Sequence, residues 1–464
     1  MNSQSAKKYL FEQMPLPRTL AKMAIPTIVS QLVNLIYNLV DTFFIGRTGN
    51  SYMVAATTVT LTLTMLNVAF SNIFGIGGGS LMARLLGKGE YEMAKRASAF
   101  SCIGAAVMAL CYSALIAATA EPVLYFLGAS DATIGFAKAY TMLVIVIGSL
   151  PAMLAMTIAH LLRNAGFSSQ ASFGLSMGGV LNIFLDPLFM FVIMPKGYEV
   201  VGAAAATLLS NIIACSYLLL AYRKASASAS LSLSRRDAAG LEKRYVKELF
   251  SVGVPSGVLT GLFDLASICA NILAAAHSDL VLAGLGIVMK VERLPNAINI
   301  GLCQGMLPIV AYNYASGNHT RMREAIRTAR TCGLVISAIC ILLLELFAYP
   351  VTHAFLATST EHAEIAIVTV GFAAVFLRIR CLAAPVQFLN YHTSFCMQAI
   401  GRGKETMLHA VVREIGFYIP CMFILDRLFG ENGLASALPI GEALGAIFAL
   451  ILLRHILKQI HLGN

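Results

Sequence analysis

Two aspartates lie inside stretches otherwise suited to a membrane. Asp41 sits in IVSQLVNLIYNLVDTFFIG and Asp186 in LSMGGVLNIFLDPLFMFVI. A carboxylate at the bilayer centre costs about 2.5–3.5 kcal/mol even on the mildest insertion scale, so such groups face protein or water and mark proton or ion relays. Gln31, Asn34, Asn38 and Asp41 are spaced 3, 4 and 3, which puts them on one helical face, with Tyr37 beside them. Asn182 and Asp186 are one turn apart on another face. Pro187 disfavours a helical backbone at Asp186, which would free carbonyls for a cation. Thr207 lies among small residues in VGAAAATLLSNI. Carboxylate, amide and hydroxyl oxygens suit a hard cation such as Na⁺, and a lone carboxylate also suits a proton. Two carboxylates held together would share one proton. The competing reading of the polar stripe is hydrogen bonding between helices, which needs no charge.

The second half of the chain has a weaker set. Asp264, Ser267 and Asn271 share a helical face. At an offset of about 230 from the first stripe, Asp264 falls on Asn34 and Asn271 on Asp41, which makes Asp264 a second candidate proton or substrate site. Lys290, Glu292 and Arg293, then Arg378 and Arg380, and finally Glu414 and Glu442 are further ionisable residues in or near apolar stretches. No nucleophile–base pattern suggests an enzyme. Gly75-Ile-Gly77-Gly78-Gly79 is followed by no GK[ST] and is a packing segment, not a phosphate loop.

Elements that would position these residues are legible from hydropathy. The chain has 464 residues, 58% hydrophobic and 12% charged, with mean hydropathy +0.76. Soluble domains carry about 25% charged residues. Twelve runs reach spanning length: 18–44, 53–82, 97–119, 135–158, 170–194, 201–222, 248–276, 280–312, 328–356, 364–392, 405–428 and 433–456. The expected fold class is thus an all-α integral membrane protein of twelve transmembrane helices. The net charge of +10 does not indicate nucleic acid. Most Lys and Arg fall in the N-terminal tail, the even-to-odd loops and the C-terminal tail, whereas Arg47, Lys138, Lys196 and Arg427 are the few in the opposite loops. That is the positive-inside pattern of a multi-pass protein in the plasma (inner) membrane with both termini cytoplasmic. The first apolar run is too long for a signal-peptide core, so span 1 acts as its own insertion signal. Ten scattered Cys, with no C-x-x-C pair, read as packing residues.

The chain also repeats itself. GIGGGSLMARLLGKGEYEMAKRA (75–97) resembles LCQGMLPIVAYNYASGNHTRMREA (302–325); at an offset of 228, Gly77 meets Gly305, Gly89 meets Gly317 and Ala97 meets Ala325. Pro26 meets Pro255 at 229, and HLLRNAG (160–166) echoes FCMQAIG (395–401). Six spans per half is even, so the two six-helix repeats are parallel. The expected division is 1–222, an N-terminal bundle; 223–247, a Ser/Ala-rich linker leading into an amphipathic helix; and 248–464, a C-terminal bundle. Pro26 removes one backbone hydrogen bond and is the expected bend in span 1.

Pro26 with YNLVDTFFIG, MARLLGKGE, LLRNAG, NIFLDPLF, GAAAATLLS and PIVAYNYASG together resemble, in order and spacing, the MATE (multidrug and toxic compound extrusion) transporters over nearly the whole chain. The resemblance implies two six-helix bundles around a central cavity. It implies export of bulky, often cationic, amphipathic drug-like compounds in exchange for H⁺ or Na⁺, with no cofactor. Paired acids in spans 1 and 5 are similar to the branch that couples through the N-terminal bundle, which would make Asp41, Asn182, Asp186 and Thr207 the proton or Na⁺ site. Gln31, Asn34, Tyr37, Asn38, Asp264 and Asn271 would then line the cavity or serve as secondary coupling groups. Other branches place coupling acids on spans 7, 8 and 10; span 10 here has no core acid. The architecture encloses its pathway in one chain, so a monomer is expected to function. The rival reading is a carrier of lipid-linked or polysaccharide intermediates, to which Arg378 and Arg380 would contribute cavity charge.

Overall fold

The computed structural model describes residues 8–356 and 363–462, and among them every regular element is helical. The rods are α1 (Leu16–Gly46), α2 (Ser51–Gly87), α3 (Tyr91–Phe126), α4 (Ile134–Ile147 with Ser149–Asn164), α5 (Ser168–Ile193), α6 (Glu199–Ala229), α7 (Lys243–His277), α8 (Asp279–Ala315), α9 (His319–Leu346), α10 (Ala363–Cys381 with Ala384–Ala399), α11 (403–429) and α12 (431–462). Among the described residues nine continuous helices are apolar enough to span, and eleven if the two bent rods count as one span each. Dividing the last long helix at Gly430, whose φ of 61° and ψ of −144° suit glycine, gives the twelfth. Two boundaries differ from the sequence reading. The ninth span begins earlier, at His319, and Ala348–Leu356 forms a separate helix. The tenth span extends to Ala399 through a break.

The fourth helix of each half is bent, α4 by 47° and α10 by 46°. Pro151 and Pro385 follow the two breaks, and each removes the hydrogen bond that would span its bend. By contrast, α1 runs unbroken through Pro26.

The halves meet at one end only. One apolar cluster joins residues of both halves, including Met23, Met82, Leu249 and Met306. Two further clusters each belong to a single half: Ile45 to Ala204 in one, Ala266 to Leu438 in the other. Every residue of α2 from 74 to 86 is buried, and so are residues 301–313 of α8 apart from Gln304. Higher in the same helices only one face is buried: Met53, Ala56, Thr60, Leu63 and Asn67 in α2; Val281, Leu285, Val288 and Glu292 in α8. The molecule is therefore a V, closed at the end that holds Tyr9–Gln13 and Ile456 and open at the other.

The closed seam is backbone against backbone. A Cβ on Gly77 would stand 2.6 Å from the Leu249 carbonyl oxygen and 2.9 Å from Gly253 Cα; one on Gly305 would stand 2.5 Å from Ala24 Cα. The Gly77–Gly305 match seen in the sequence is thus the pair of crossings α2–α7 and α8–α1. Just above, two side-chain hydrogen bonds bridge the halves at the cleft floor: Gln31 Nε2 to Gln304 Oε1 and Asn72 Nδ2 to Thr260 Oγ1, both 3.3 Å. Below, Arg84 of α2 donates to Glu248 Oε1 (2.9 Å) and to the Ala399 carbonyl (3.1 Å). The N-terminal turn Tyr9–Gln13 also ties the halves: Phe11 stacks on Tyr312 at 5.0 Å, and Tyr312 donates to Glu12.

Candidate functional site

The proton or cation candidates of the first half converge. Glycines bring three helices together: Gly179 of α5 faces Val33 and Tyr37 of α1, and Gly178 faces Ala214 of α6. That packing seats Asp41, Asn182, Asp186 and Thr207 inside the first six helices. Asp41 lies five residues from the open end of α1, about 8 Å along the axis. Asp186 is fully buried, Asn182 is 2% and Thr207 7% exposed. Asn182 Nδ2 donates to Thr207 Oγ1 at 3.2 Å. Asp41 and Asp186 lie within electrostatic reach of one another.

The site is rich in acceptors and poor in donors. Asp41 Oδ1, Asn182 Oδ1 and both carboxyl oxygens of Asp186 are buried with no hydrogen-bond partner. Buried polar groups are almost always paired, so four unpaired oxygens in one place call for a positive ligand. The donor set fits Na⁺, which takes oxygen ligands, and equally a proton shared by the two carboxyls. Among the described residues no group of three or more His, Cys, Asp or Glu is placed to hold a metal ion.

Other candidates take separate places. Tyr37 lies within electrostatic reach of both aspartates. Gln31 is at the cleft floor; Asn38 donates to the Asn34 carbonyl, and the Asn34 side chain is exposed. Asp264 is half-buried on α7, in the other half, within electrostatic reach of Arg293 of α8, and Asn271 is exposed. The backbone at Asp186 is helical despite Pro187; the ladder is disturbed instead one turn on, where Phe189–Ile193 widens into a π-helical turn. Lys290, Glu292 and Arg293 do not cluster: Glu292 forms a bidentate pair with Arg380 of α10, 2.7 and 3.0 Å, while Lys290 and Arg293 are exposed. Tyr140 of α4 was missed. Its side chain reaches Thr207 and senses both aspartates; one tyrosine among aliphatic residues gave no periodic signal.

Known proteins bear on this arrangement. The MatE family model matches residues 26–188 and 255–424, a segment in each half. The chain belongs to the MatE family. That makes it a multi-pass membrane transporter, not an enzyme. It is similar to the multidrug export protein MepA of Staphylococcus saprophyticus, 28% identical over 96% of this chain and 95% of that protein. The MepA of Staphylococcus aureus strain MRSA252 is 27% identical over the same shares. Among solved structures, the fold matches an outward-facing multidrug resistance MATE family transporter of the MOP superfamily, TM-score 0.88 and 22% identity over 95% of this chain and 96% of the other. It also matches MATE in complex with MaL6, TM-score 0.91 and 21% identity over 98% and 99%. These similarities fix the two-repeat helical architecture.

Proposed function

We propose that this transporter is a secondary active multidrug antiporter. It exports amphipathic, often cationic compounds in exchange for H⁺ or Na⁺ by alternating access. The observation that carries the coupling is the set of four donor-less oxygens on Asp41, Asn182 and Asp186. Multidrug export is named for the MepA relatives, and the cleft between the halves supplies a pathway within one chain, so a monomer suffices. The basic loops support a cytoplasmic side for the termini and the closed seam, with the open cleft facing outward. Residues 1–222 and 248–464 act as the two moving bodies, joined by 223–247.

In the outward-open conformation the aspartate pair takes up the ion. Its charge satisfies the unpaired oxygens and lowers the cost of burying them. Side chains that had avoided one another draw together, α1 shifts against α5 around Pro26 and Gly179, and the cavity gives up its cargo outward. The ion can leave only after the seam opens on the other side. Gln31 at the cleft floor, with Asn34 and Asn38 on the same face of α1, and Asp264 and Asn271 on α7 serve as secondary polar groups of the pathway.

The test is efflux of a fluorescent organic cation from proteoliposomes under an imposed pH or Na⁺ gradient, with wild type, Asp41→Asn and Asp186→Asn. The expected result is that one gradient drives efflux and both variants lose it. Full coupling in both variants sinks the assigned site. Wild type that moves no cation under either gradient sinks the multidrug reading.

A further inference from the structure

A second buried carboxyl repeats the pattern of Asp186 in the other half. α11 is the fifth helix of the C-terminal half, as α5 is of the N-terminal half. Glu414 of α11 is fully buried, and neither of its carboxyl oxygens has a hydrogen-bond partner. It lies within a π-helical turn, Val412–Tyr418, whereas Asp186 precedes one. It lies 11 residues from the start of α11, about 16 Å along the axis, so it sits deep in the membrane.

The surrounding charges do not balance. Arg413 forms a bidentate pair with Glu442 of α12, Nε to Oε2 2.9 Å and Nη2 to Oε1 2.6 Å, and its guanidinium lies 5.0 Å from the ring centre of Tyr391. Glu442 also accepts from Asn390 Nδ2 at 2.6 Å, and His409 Nε2 meets Asn390 Oδ1 at 3.1 Å. His409 Nδ1 is bonded to Ser394, so a neutral imidazole satisfies both contacts. The neighbouring Arg380–Glu292 pair, reached through Tyr418, is bidentate, with Arg380 Nη1 left buried and without a hydrogen-bond partner. Two arginines thus neutralise two glutamates, and Glu414 is the odd charge. Arg413 Nε stands 3.5 Å from Glu414 Oε1, an ion contact without a hydrogen bond.

A carboxylate in a dry interior with no hydrogen-bond donor, whose one cationic neighbour is already held by Glu442, is too costly to keep, so it takes a proton or a cation. Arg413 beside it repels a metal cation, whereas a proton carried on the carboxyl itself removes the charge. We propose that Glu414 is a proton-binding site of the C-terminal half, occupied in the cleft-open conformation and separate from the Asp41–Asp186 pair. Carboxylate plus proton gives carboxylic acid; no other bond changes. Each half then carries one buried acid on its fifth helix. The assignment rests on the antiport reading only for its role in the cycle.

The test reads the proton directly. Infrared spectra of the protein in lipid at neutral pH are compared between wild type and Glu414→Gln. The expected difference contains the carbonyl stretch of a neutral carboxylic acid, which shifts in D₂O and persists in an Asp41→Asn/Asp186→Asn background. A difference made only of carboxylate bands overturns the proposal. If Glu414→Gln does not fold, Glu414→Asp serves: a shifted neutral-acid band supports the site, and an unmoved acid region with a new carboxylate band refutes it. In proteoliposomes, Glu414→Gln is expected to lower the number of protons moved per substrate; an unchanged ratio removes the site from the cycle. Absence of any wild-type transport would defeat the antiport reading and leave the infrared result standing.

Discussion

Replacing one seam glycine should move the whole conformational equilibrium. An alanine at 305 would place its Cβ 2.5 Å from Ala24 Cα, 2.7 Å from its nitrogen and 2.8 Å from its Cβ. Ordinary contact needs about 3.5–4.0 Å, so α8 and α1 must part by about 1 Å. Both partners are helix backbone and cannot rotate away. Overpacking of this kind costs about 1–3 kcal/mol. The cost falls only on the conformation in which the seam is shut, so the ratio of seam-open to seam-shut molecules should rise about 5- to 150-fold, taking 1.4 kcal/mol per factor of ten. Gly286 of α8 and Gly261 of α7 supply the control, since a Cβ on either meets nothing within 4 Å. Alanine there should be silent or mildly stabilising through helix propensity. Spin labels at Glu92→Cys and Thr320→Cys, both exposed at the seam end, report the opening as a longer distance in a background without the native cysteines. An unchanged distance distribution in Gly305→Ala, with folding intact, would refute the reasoning that seam separation is the conformational change.

Three further outcomes follow from other contacts. Arg84→Gln removes the bridge to Glu248, whose side chain is 36% exposed, and to the α10 carbonyls; losing charged hydrogen bonds of this kind costs about 1.5–3 kcal/mol, and the same spin-label pair should report a wider seam end with a lower melting temperature. Thr207→Val leaves Asn182 Nδ2 without its acceptor, a loss of about 1–3 kcal/mol, and should weaken the apparent affinity for the driving ion measured by efflux against ion concentration; an unchanged affinity would count against Thr207. In the segment joining the halves, the Ser232 hydroxyl donates to Asp237 and Lys95 lies 3.6 Å away, which holds that carboxyl below its usual range. A group depressed in the folded state stabilises it above the unfolded value and loses that contribution as pH falls through the folded one, so the protection of amides 231–240 relative to their intrinsic exchange rate should fall on acidification, and Ser232→Ala should move that fall to a higher pH.

Spans were legible because each is an apolar run of membrane length, and the repeat was legible because the seam needs glycine at matching places in both halves. The first-half site could be read in advance from Asp41 and Asp186, since a carboxylate in an apolar run is too costly to persist without a use. What local pattern could not show was pairing across distance. Glu292 looked like part of a charged stretch with Lys290 and Arg293, yet its partner is Arg380, 88 residues on. Glu442 and Arg413 lie on different helices, and only packing reveals that Glu414 is left over. The reading of Pro187 failed because proline's preference against a helical preceding residue is a bias that helix packing overrides: Asp186 stays helical, and the ladder widens one turn later.

A seam of bare backbone has a bearing on how such a protein changes under selection. Side-chain gates can loosen by degrees, as one rotamer after another lets go. A glycine crossing has nothing to loosen: it is either in register or apart, so the machine should click between states instead of drifting. Its timing then sits in a few positions remote from the cargo. Adding or removing a single methyl group there can reset how long the cleft dwells on each side, while the chemistry that recognises cargo and ion stays as it was.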